Sequence, residues 1–298
     1  MDSSLRRGSL EMVAAMLISG TIGWFVLVSG QPVLEVVFWR CVFGAVTLLV
    51  ICAAFGFLRA GVISRTAFLL AIASGVAIVG NWLLLFASYS RASIAIGTAV
   101  YNVQPFMLVG LAALFLGEKI TLAKLTWLSV AFLGMLAIVS AHGAKQGGGE
   151  EYLLGIGLAL GAAFLYAIAA LIIKRLKGTP PHLIALIQVT TGVLLLAPWV
   201  KLGGLPGEAP ALASLLTLGM VHTGLMYVLL YSAIQRLPTA LTGALSFIYP
   251  IAAILVDWVA FGHRLAPLQW LGVGLILLAA AGMQQGWWFR PARLALKN

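Results

Sequence analysis

The chain has 298 residues, of which 62% are hydrophobic and only 9% charged, and its mean hydropathy is +1.08. Soluble domains are about 45–50% apolar, so this composition excludes an ordinary water-soluble protein and predicts an integral membrane protein. The net charge of +10 comes from basic residues scattered over the ends of apolar runs. Because they form no basic stripe interleaved with aromatic residues, we expect the lipid bilayer, and no nucleic acid, as a partner.

Ten apolar runs follow one another along the chain, and each is near the roughly 20 residues that a helix needs to cross a bilayer. The runs are apolar on every face, which predicts an all-α fold. The first run follows two arginines, as in a signal peptide, but its near-full spanning length and the lack of a small-residue cleavage site favour an anchor. The predicted spans are 10–29, 33–56, 66–89, 93–116, 121–141, 152–174, 181–199, 211–234, 238–261 and 266–287.

The distribution of Lys and Arg over the loops predicts the orientation, because loops rich in these residues stay in the cytoplasm. If the N-terminus is inside, thirteen of the eighteen basic residues lie on the inner side and four on the outer side. The remaining one, Arg40, lies within the second span. We therefore predict a multi-pass protein of the bacterial inner membrane with both termini in the cytoplasm. We expect a monomer, although no sequence feature sets the oligomeric state.

Two stretches of the chain are similar to each other at a fixed offset. Residues 91–105 read RASIAIGTAVYNVQP and residues 236–250 read RLPTALTGALSFIYP, with Arg, two Ala and Pro matching. Pro32 and Pro180 match as well, with a Gly and a Leu after each at equal spacings. The pattern predicts two homologous five-helix halves, 1–143 and 152–298. Because five is odd, the halves should be inverted relative to each other, as in many secondary transporters.

With this duplication, the spacing of Pro32 and Arg40, and Pro105 followed by the sequence Leu-Gly-Glu at 116–118, the chain resembles the drug/metabolite transporter superfamily. Within it, the chain looks most like EamA-type exporters of aromatic and other amino acids. The resemblance implies a central cavity lined by helices one, three, four, six, eight and nine, and rocking of the helix pairs three/four and eight/nine. His263 and Gln188 stand where the first half has Glu118 and Arg40, so these positions are not expected to act symmetrically.

Polar groups near the bilayer centre are costly unless they face protein or water. These residues, with aromatic residues at comparable depth, are the candidate cavity residues. Pro105 and Pro250 free the carbonyls of Tyr101 and Ser246, which predicts hinges there. The alternative is a kink that a neighbouring helix satisfies. The predicted cavity residues are Trp24, Asn81, Tyr101, Asn102, Tyr166, His222, Tyr227, Ser246 and Phe247.

Three further polar residues keep two interpretations each. His222 is a candidate proton carrier or a hydrogen-bonded packing residue. Arg40 either meets a substrate carboxylate or braces its helix. Asp257 either couples transport to protons or forms a structural ion pair. Cys41 and Cys52 are too far apart on one helix to bond to each other, and no His or Cys spacing fits a metal, so we expect no disulfide, metal or cofactor.

We therefore expect a secondary transporter that exports amino acids, aromatic or neutral ones favoured, or related small zwitterionic metabolites by alternating access. A multidrug exporter of lipophilic cations is the alternative within the same superfamily, and it should need a carboxylate such as Asp257. A channel or a membrane scaffold is a second alternative. A membrane-embedded enzyme is a third, although the acidic residues are dispersed and no HExxH or GxSxG motif occurs.

Overall fold

The computed structural model describes residues 3–59, 61–92, 97, 100–140, 149–200, 205–261 and 266–287. This part of the chain is almost entirely helical and contains no β-strand, which confirms the all-α class. The α-helices are supplemented by a 3₁₀ turn, Ala197–Trp199, and a π-helical turn, Met220–Leu225. The α-helices are α1 Ser3–Ser19, α2 Ile22–Ser29, α3 Val33–Ala54, α4 Arg65–Ala92, α5 Gln104–Leu116, α6 Leu122–Ser140, α7 Glu150–Arg175, α8 Pro181–Leu196, α9 Ala209–Gly219, α10 Met226–Arg236, α11 Thr239–Ser246, α12 Ile248–Phe261 and α13 Pro267–Gln285.

Six segments of the described chain are long and apolar enough to cross a membrane. They are Ser3–Ser29, Val33–Ala54, Arg65–Tyr89, Glu150–Arg175, Pro181–Trp199 and Ala209–Arg236. Four further apolar helices are shorter, namely Gln104–Leu116, Leu122–Ala137, Thr239–Ala252 and Trp270–Met283. Each predicted span overlaps one of these ten segments. The protein is therefore a multi-pass membrane protein, and the count of ten crossings stays a prediction.

Proline marks the beginning of three helices. Pro32, Pro180 and Pro238 are the residues directly before α3, α8 and α11. A proline fits at a helix start because it lacks the N–H that a helix interior would require and its φ angle is already close to helical. Pro32 and Pro180, which the sequence comparison of the two halves pairs, thus occupy the same position relative to their helices.

The helices before residue 141 pack mainly against helices after residue 149. The most extensive contacts are those between α4 and α7 and between α6 and α13. In addition, α1 packs on α10, and α3 packs on α8. The predicted halves, 1–143 and 152–298, therefore share their apolar cores. Large apolar side chains such as Leu114 and Leu194 stay exposed on the outside, as expected for a surface that faces lipid.

Glycine allows α3 and α9 to approach closely. A Cβ on Gly219 would lie 2.3 Å from the Cβ of Phe43 and 3.0 Å from the backbone nitrogen of Gly44. The first distance is too short for real atoms and the second is tighter than most real contacts, and a backbone nitrogen cannot rotate away. By contrast, a Cβ on Gly157 of α7 meets nothing within 4 Å. Small residues at close helix contacts, such as Gly219, allow membrane helices to pack tightly.

The Gly219→Val variant is expected to lose stability, while the Gly157→Val variant stays close to the wild type. Overpacking of this kind costs about 1–3 kcal/mol or more, because α9 must move away from α3. Thermal unfolding of the two purified variants in detergent measures the effect. Since both changes replace a helical glycine by valine, the difference in helix propensity cancels. Equal unfolding temperatures for the two variants would contradict the close contact.

Candidate functional site

A cavity of about 150 Å³ lies among the helices. Its walls come from α1, α2, α4, α5, α7, α10, α11 and α12, with one residue of α3. These correspond to helices one, three, four, six, eight and nine of the predicted ten, with the second helix added. The polar and aromatic lining residues are Ser19, Arg40, Asn81, Trp82, Phe86, Tyr89, Tyr101, Asn102, Gln104, Tyr166, Tyr227, Ser246 and Tyr249.

Irregular backbone occurs where helices meet the cavity. The first membrane segment breaks at Gly20 and Thr21, between α1 and α2. The helical path also breaks at Asn102 and Val103, directly before α5, and at Phe247, between α11 and α12. Irregular backbone within a membrane is tolerated where it is buried in protein or lines a cavity. Local breaks therefore shape this site.

The two prolines follow these breaks closely. Pro105 is the second residue of α5, and Pro250 is the third residue of α12. Proline at a helix start leaves no N–H unsatisfied, so these bends need no compensation inside a continuous helix. Pro105 also packs on Gly243 of α11, where an added Cβ would lie 3.0 Å from the proline Cβ. The hinge role of the two prolines stays a prediction.

Six of the nine predicted cavity residues line the cavity. Two tyrosine rings, of Tyr101 and Tyr166, meet edge to face with centroids 6.2 Å apart. Asn81 donates a hydrogen bond from Nδ2 to the carbonyl oxygen of Ala162 on α7, at 2.7 Å. The six are Asn81, Tyr101, Asn102, Tyr166, Tyr227 and Ser246.

Three predicted cavity residues, Trp24, His222 and Phe247, are not among the described residues that line this cavity. Trp24 is 38% exposed and its ring packs edge-on against Phe25. It points away because the cavity face of α2 consists of other residues, namely Ile22, Gly23, Val26 and Leu27.

Phe247 is fully buried in a second apolar cluster, with its ring 6.4 Å from that of Phe132. It is itself the residue at which the helix breaks, so it does not continue the face that carries Ser246. Phe247 therefore does not line this cavity, whereas Ser246 does.

His222 is buried in the π-helical turn and bonds neighbouring groups. Its Nε2 lies 2.6 Å from Oγ1 of Thr21, and its Nδ1 lies 3.2 Å from the carbonyl oxygen of Thr217. In a regular α-helix it would share a face with Met226, which lines the cavity. Instead, its contacts with Thr21 and Thr217 hold the ring at the break between α1 and α2.

Arg40 lies at the cavity with neutral neighbours. Its Nε donates to Oγ1 of Thr223 at 2.8 Å, and its Nη2 donates to the carbonyl oxygen of His222 at 3.3 Å. The guanidinium carbon stacks 4.1 Å from the ring centroid of Trp82, and the indole of Trp82 donates to the hydroxyl of Tyr227 at 2.9 Å. Both hydrogen bonds of Arg40 thus connect α3 to the π-helical turn.

Sequence reasoning missed Gln104, Trp82, Tyr89 and Tyr249 as lining residues. Gln104 carried the same signal as Asn102, a polar side chain deep in an apolar run, and that signal could have found it. The aromatic residues gave no signal, because an aromatic side chain in a membrane helix faces lipid, protein or cavity equally well.

Asp257 lies in α12, and its side chain is outside the described part of the structure. Within that described part, no cluster of three His, Cys, Asp or Glu residues can hold a metal.

Ion pairs join the helix ends on the side of the bundle where α1 begins. Gly117 ends α5 in the left-handed conformation, with φ of 66°, and the next residue, Glu118, contacts Nζ of Lys174 at 2.7 Å. Thr239 donates to the same carboxylate oxygen at 2.6 Å. Burial raises the pKa of Glu118, but the hydrogen bonds from Lys174 and Thr239 outweigh it and hold the pKa below its ordinary value.

A second ion pair on this side connects Glu11 of α1 to Arg236 of α10 at 2.9 Å. On the opposite side, Arg91 and Glu151 lie 3.2 Å apart, with 36% and 78% of their side chains exposed. All of these contacts connect residues before 141 with residues after 149. The first side is thus held by less exposed pairs than the second.

The sequence and the fold are similar to those of known proteins. Residues 6–140 and 153–284 each match the profile of the EamA-like transporter family. The chain is 29% identical to the uncharacterized transporter YxxF of Bacillus subtilis, over 91% of this chain and 88% of that protein. It is 28% identical to the threonine/homoserine exporter RhtA of Escherichia coli K12, over 70% and 68%. A crystal structure shares the fold with a TM-score of 0.78 at 19% identity, over 92% of this chain and 96% of that one.

Proposed function

Because the chain belongs to the EamA-like transporter family, we propose that it exports amino acids or related small zwitterionic metabolites across the bacterial inner membrane. The observation that carries this proposal is the composition of the cavity wall. Among the described lining residues, Arg40 is the only charged one, and the others are aromatic, aliphatic or neutral polar. Such a wall suits a small molecule whose own charges nearly cancel and whose remainder is apolar.

The size of the cavity agrees with a small substrate. Pockets that hold drug-sized ligands measure about 300–1,000 Å³, whereas this cavity measures about 150 Å³. The described part of its wall also contains no carboxylate, the group that a site for lipophilic cations would be expected to offer. The exporter of lipophilic cations is therefore the less favoured member of the same family. In that case Asp257→Asn would abolish export.

Transport proceeds by alternating access between two inverted halves in this proposal. The double match to the family profile supports the repeat, and the basic loops support cytoplasmic termini. Met16 lies five residues beyond Glu11, and Tyr166 lies eight residues before Lys174. At 1.5 Å per residue, the ion pairs therefore lie roughly 8–12 Å from the cavity, on its cytoplasmic side. The structure then represents a state closed towards the cytoplasm, and export requires these pairs to open.

Flux of radiolabelled amino acids into proteoliposomes that contain the purified protein tests the proposal. Threonine, leucine and phenylalanine should cross with saturable kinetics, each competing with the others, and protein-free liposomes should show no such flux. A comparison with and without a pH gradient shows whether transport is coupled to protons. Flux that does not saturate would indicate a channel. Transport of a lipophilic cation with no amino acid flux would overturn the substrate class.

A further inference from the structure

Two polar groups at the cavity are incompletely satisfied by the described residues, and one is a cationic donor while the other is a neutral acceptor. One is the guanidinium of Arg40, and the other is the side-chain carbonyl oxygen of Gln104. Both residues line the same cavity, and both are more than nine-tenths buried, with exposed fractions of 1% and 5%. Together they offer a positive charge and a hydrogen-bond acceptor to a bound molecule.

No carboxylate among the described residues pairs with the buried charge of Arg40. Described residues accept two hydrogen bonds from its guanidinium, from Nε and Nη2, whereas a guanidinium has five N–H groups. The ion pairs of the described chain occupy Glu11, Glu118 and Glu151 with other basic residues. A buried charge is costly unless it is paired. The stacking on Trp82 offsets only part of that cost.

The carbonyl oxygen of Gln104 is the second group. Oε1 of Gln104 is buried and has no hydrogen-bond donor among the described residues. Native proteins satisfy the great majority of their buried polar atoms, and an exception points to a role or to a missing partner. Gln104 is the first residue of α5, directly after the break at Asn102 and Val103. The break therefore brings this side chain to the cavity wall.

We propose that the substrate binds with its carboxylate on Arg40 and its ammonium group on Oε1 of Gln104. This inference rests on the proposed function and specifies how the cavity recognises a zwitterion. A carboxylate matches the planar fork of a guanidinium, and an ammonium group is a donor for a carbonyl oxygen. Tyr101, Tyr166 and Tyr249 then surround the rest of the molecule. The protein selects its substrate through the carboxylate and the ammonium group of the molecule, and the aromatic wall accommodates different substrate side chains.

Analogues that lack one charge should bind much more weakly than the amino acid. A site built to bond a polar group strongly rejects a molecule without it, because the buried group of the protein is left unpaired. Phenylalaninamide lacks the carboxylate, and 3-phenylpropionate lacks the ammonium group. Each should need at least a tenfold higher concentration than phenylalanine to inhibit uptake of labelled phenylalanine by half.

Three variants of the full chain separate recognition from bracing. Arg40→Gln should raise the half-inhibiting concentration of phenylalanine and 3-phenylpropionate at least tenfold and leave that of phenylalaninamide unchanged. Gln104→Leu should weaken phenylalanine and phenylalaninamide and spare 3-phenylpropionate. The control is Thr223→Val, which removes the hydroxyl that accepts from Nε of Arg40 and keeps the charge and the side-chain shape. It should preserve the wild-type order of the three compounds.

The outcomes are distinguishable. If the wild type transports amino acids but the three compounds inhibit equally, the two-point recognition is wrong while the proposed function stands. If Arg40→Gln weakens all three compounds equally, as loss of a brace would, the role of Arg40 in recognition is also wrong. If the wild-type protein transports no amino acid, the proposed function and this inference fail together.

Discussion

Replacing Gly23 by tryptophan is expected to lower transport at least tenfold and leave the protein folded. Gly23 lies on the face of α2 that lines the cavity, and a Cβ added to it meets nothing within 4 Å. A tryptophan can therefore be accommodated at the backbone, and its large ring occupies space in a cavity of only about 150 Å³. Initial rates of amino acid flux in proteoliposomes measure the effect.

A graded series at this position sharpens the test. Gly23→Ala should transport almost normally, Gly23→Leu should be slower, and Gly23→Trp should be the slowest. The matched control is Gly110→Trp, because Gly110 of α5 also has open space around its Cβ and does not line the cavity. Full transport by folded Gly23→Trp protein would show that the substrate does not pass through this cavity.

The Glu118→Gln variant is expected to open the bundle on the side where α1 begins, which we propose is the cytoplasmic side. Glutamine keeps the size of the side chain but removes the charge that holds Lys174, whose side chain is only 17% exposed. Exposed ion pairs contribute about 0–1 kcal/mol and breaking fully buried ones costs about 3–5. For this half-buried pair we expect about 1–2 kcal/mol, equivalent to a roughly 5- to 30-fold shift between closed and open states.

Cysteine labelling measures this shift. Met16 lines the cavity, and the native Cys41 and Cys52 are buried. In a Met16→Cys background, a membrane-impermeant maleimide applied from the cytoplasmic side should react faster when Glu118→Gln is present. Glu151→Gln is the control, because the same change removes a pair on the opposite side that is largely exposed. Equal labelling of all three proteins would contradict a gate at Glu118.

The pH dependence of labelling follows from the direction of the pKa shift. Burial raises the pKa of Glu118, but the hydrogen bonds from Lys174 and Thr239 depress it below its ordinary value, which is about 4.3 for glutamate. A depressed pKa means that the contact stabilises the closed state at higher pH and is lost as the pH falls through the folded value. Maleimide reacts with the thiolate, whose fraction itself falls as the pH falls. The labelling rate of the Met16→Cys protein is therefore divided by that of the same protein with Glu118→Gln at each pH. This ratio should stay constant near neutral pH and rise only in strong acid.

Local features of the sequence predicted much of the site. Hydropathy located the helical segments, and the prolines at 105 and 250 marked the breaks at Asn102–Val103 and at Phe247. Tyr101, Asn102 and Ser246 lie beside those breaks, and all three line the cavity. Both features can be predicted locally because a membrane span and a proline break depend on a few adjacent residues.

The direction of individual side chains could not be predicted in the same way. His222 was expected in the cavity because its depth in the span is central. Its contacts with Thr21 and Thr217 hold it instead, and the packing of Gly44 against Thr223 and Gly219 places its turn next to α3. Depth in the membrane follows from position in sequence, whereas the direction around a helix axis depends on every irregularity before it.

The sequence by itself determined that the protein lies in a lipid bilayer and that its fold is helical. It also determined the positions of the apolar segments and the presence of two similar stretches. These properties follow from the cost of exposing backbone and polar groups to lipid, which each segment must meet alone. Only the tertiary structure decided that Arg40 stacks on Trp82, that Gln104 reaches the same cavity, and that Glu118 meets Lys174. Such contacts join residues distant in the chain, so they depend on how the helices pack and not on any one of them.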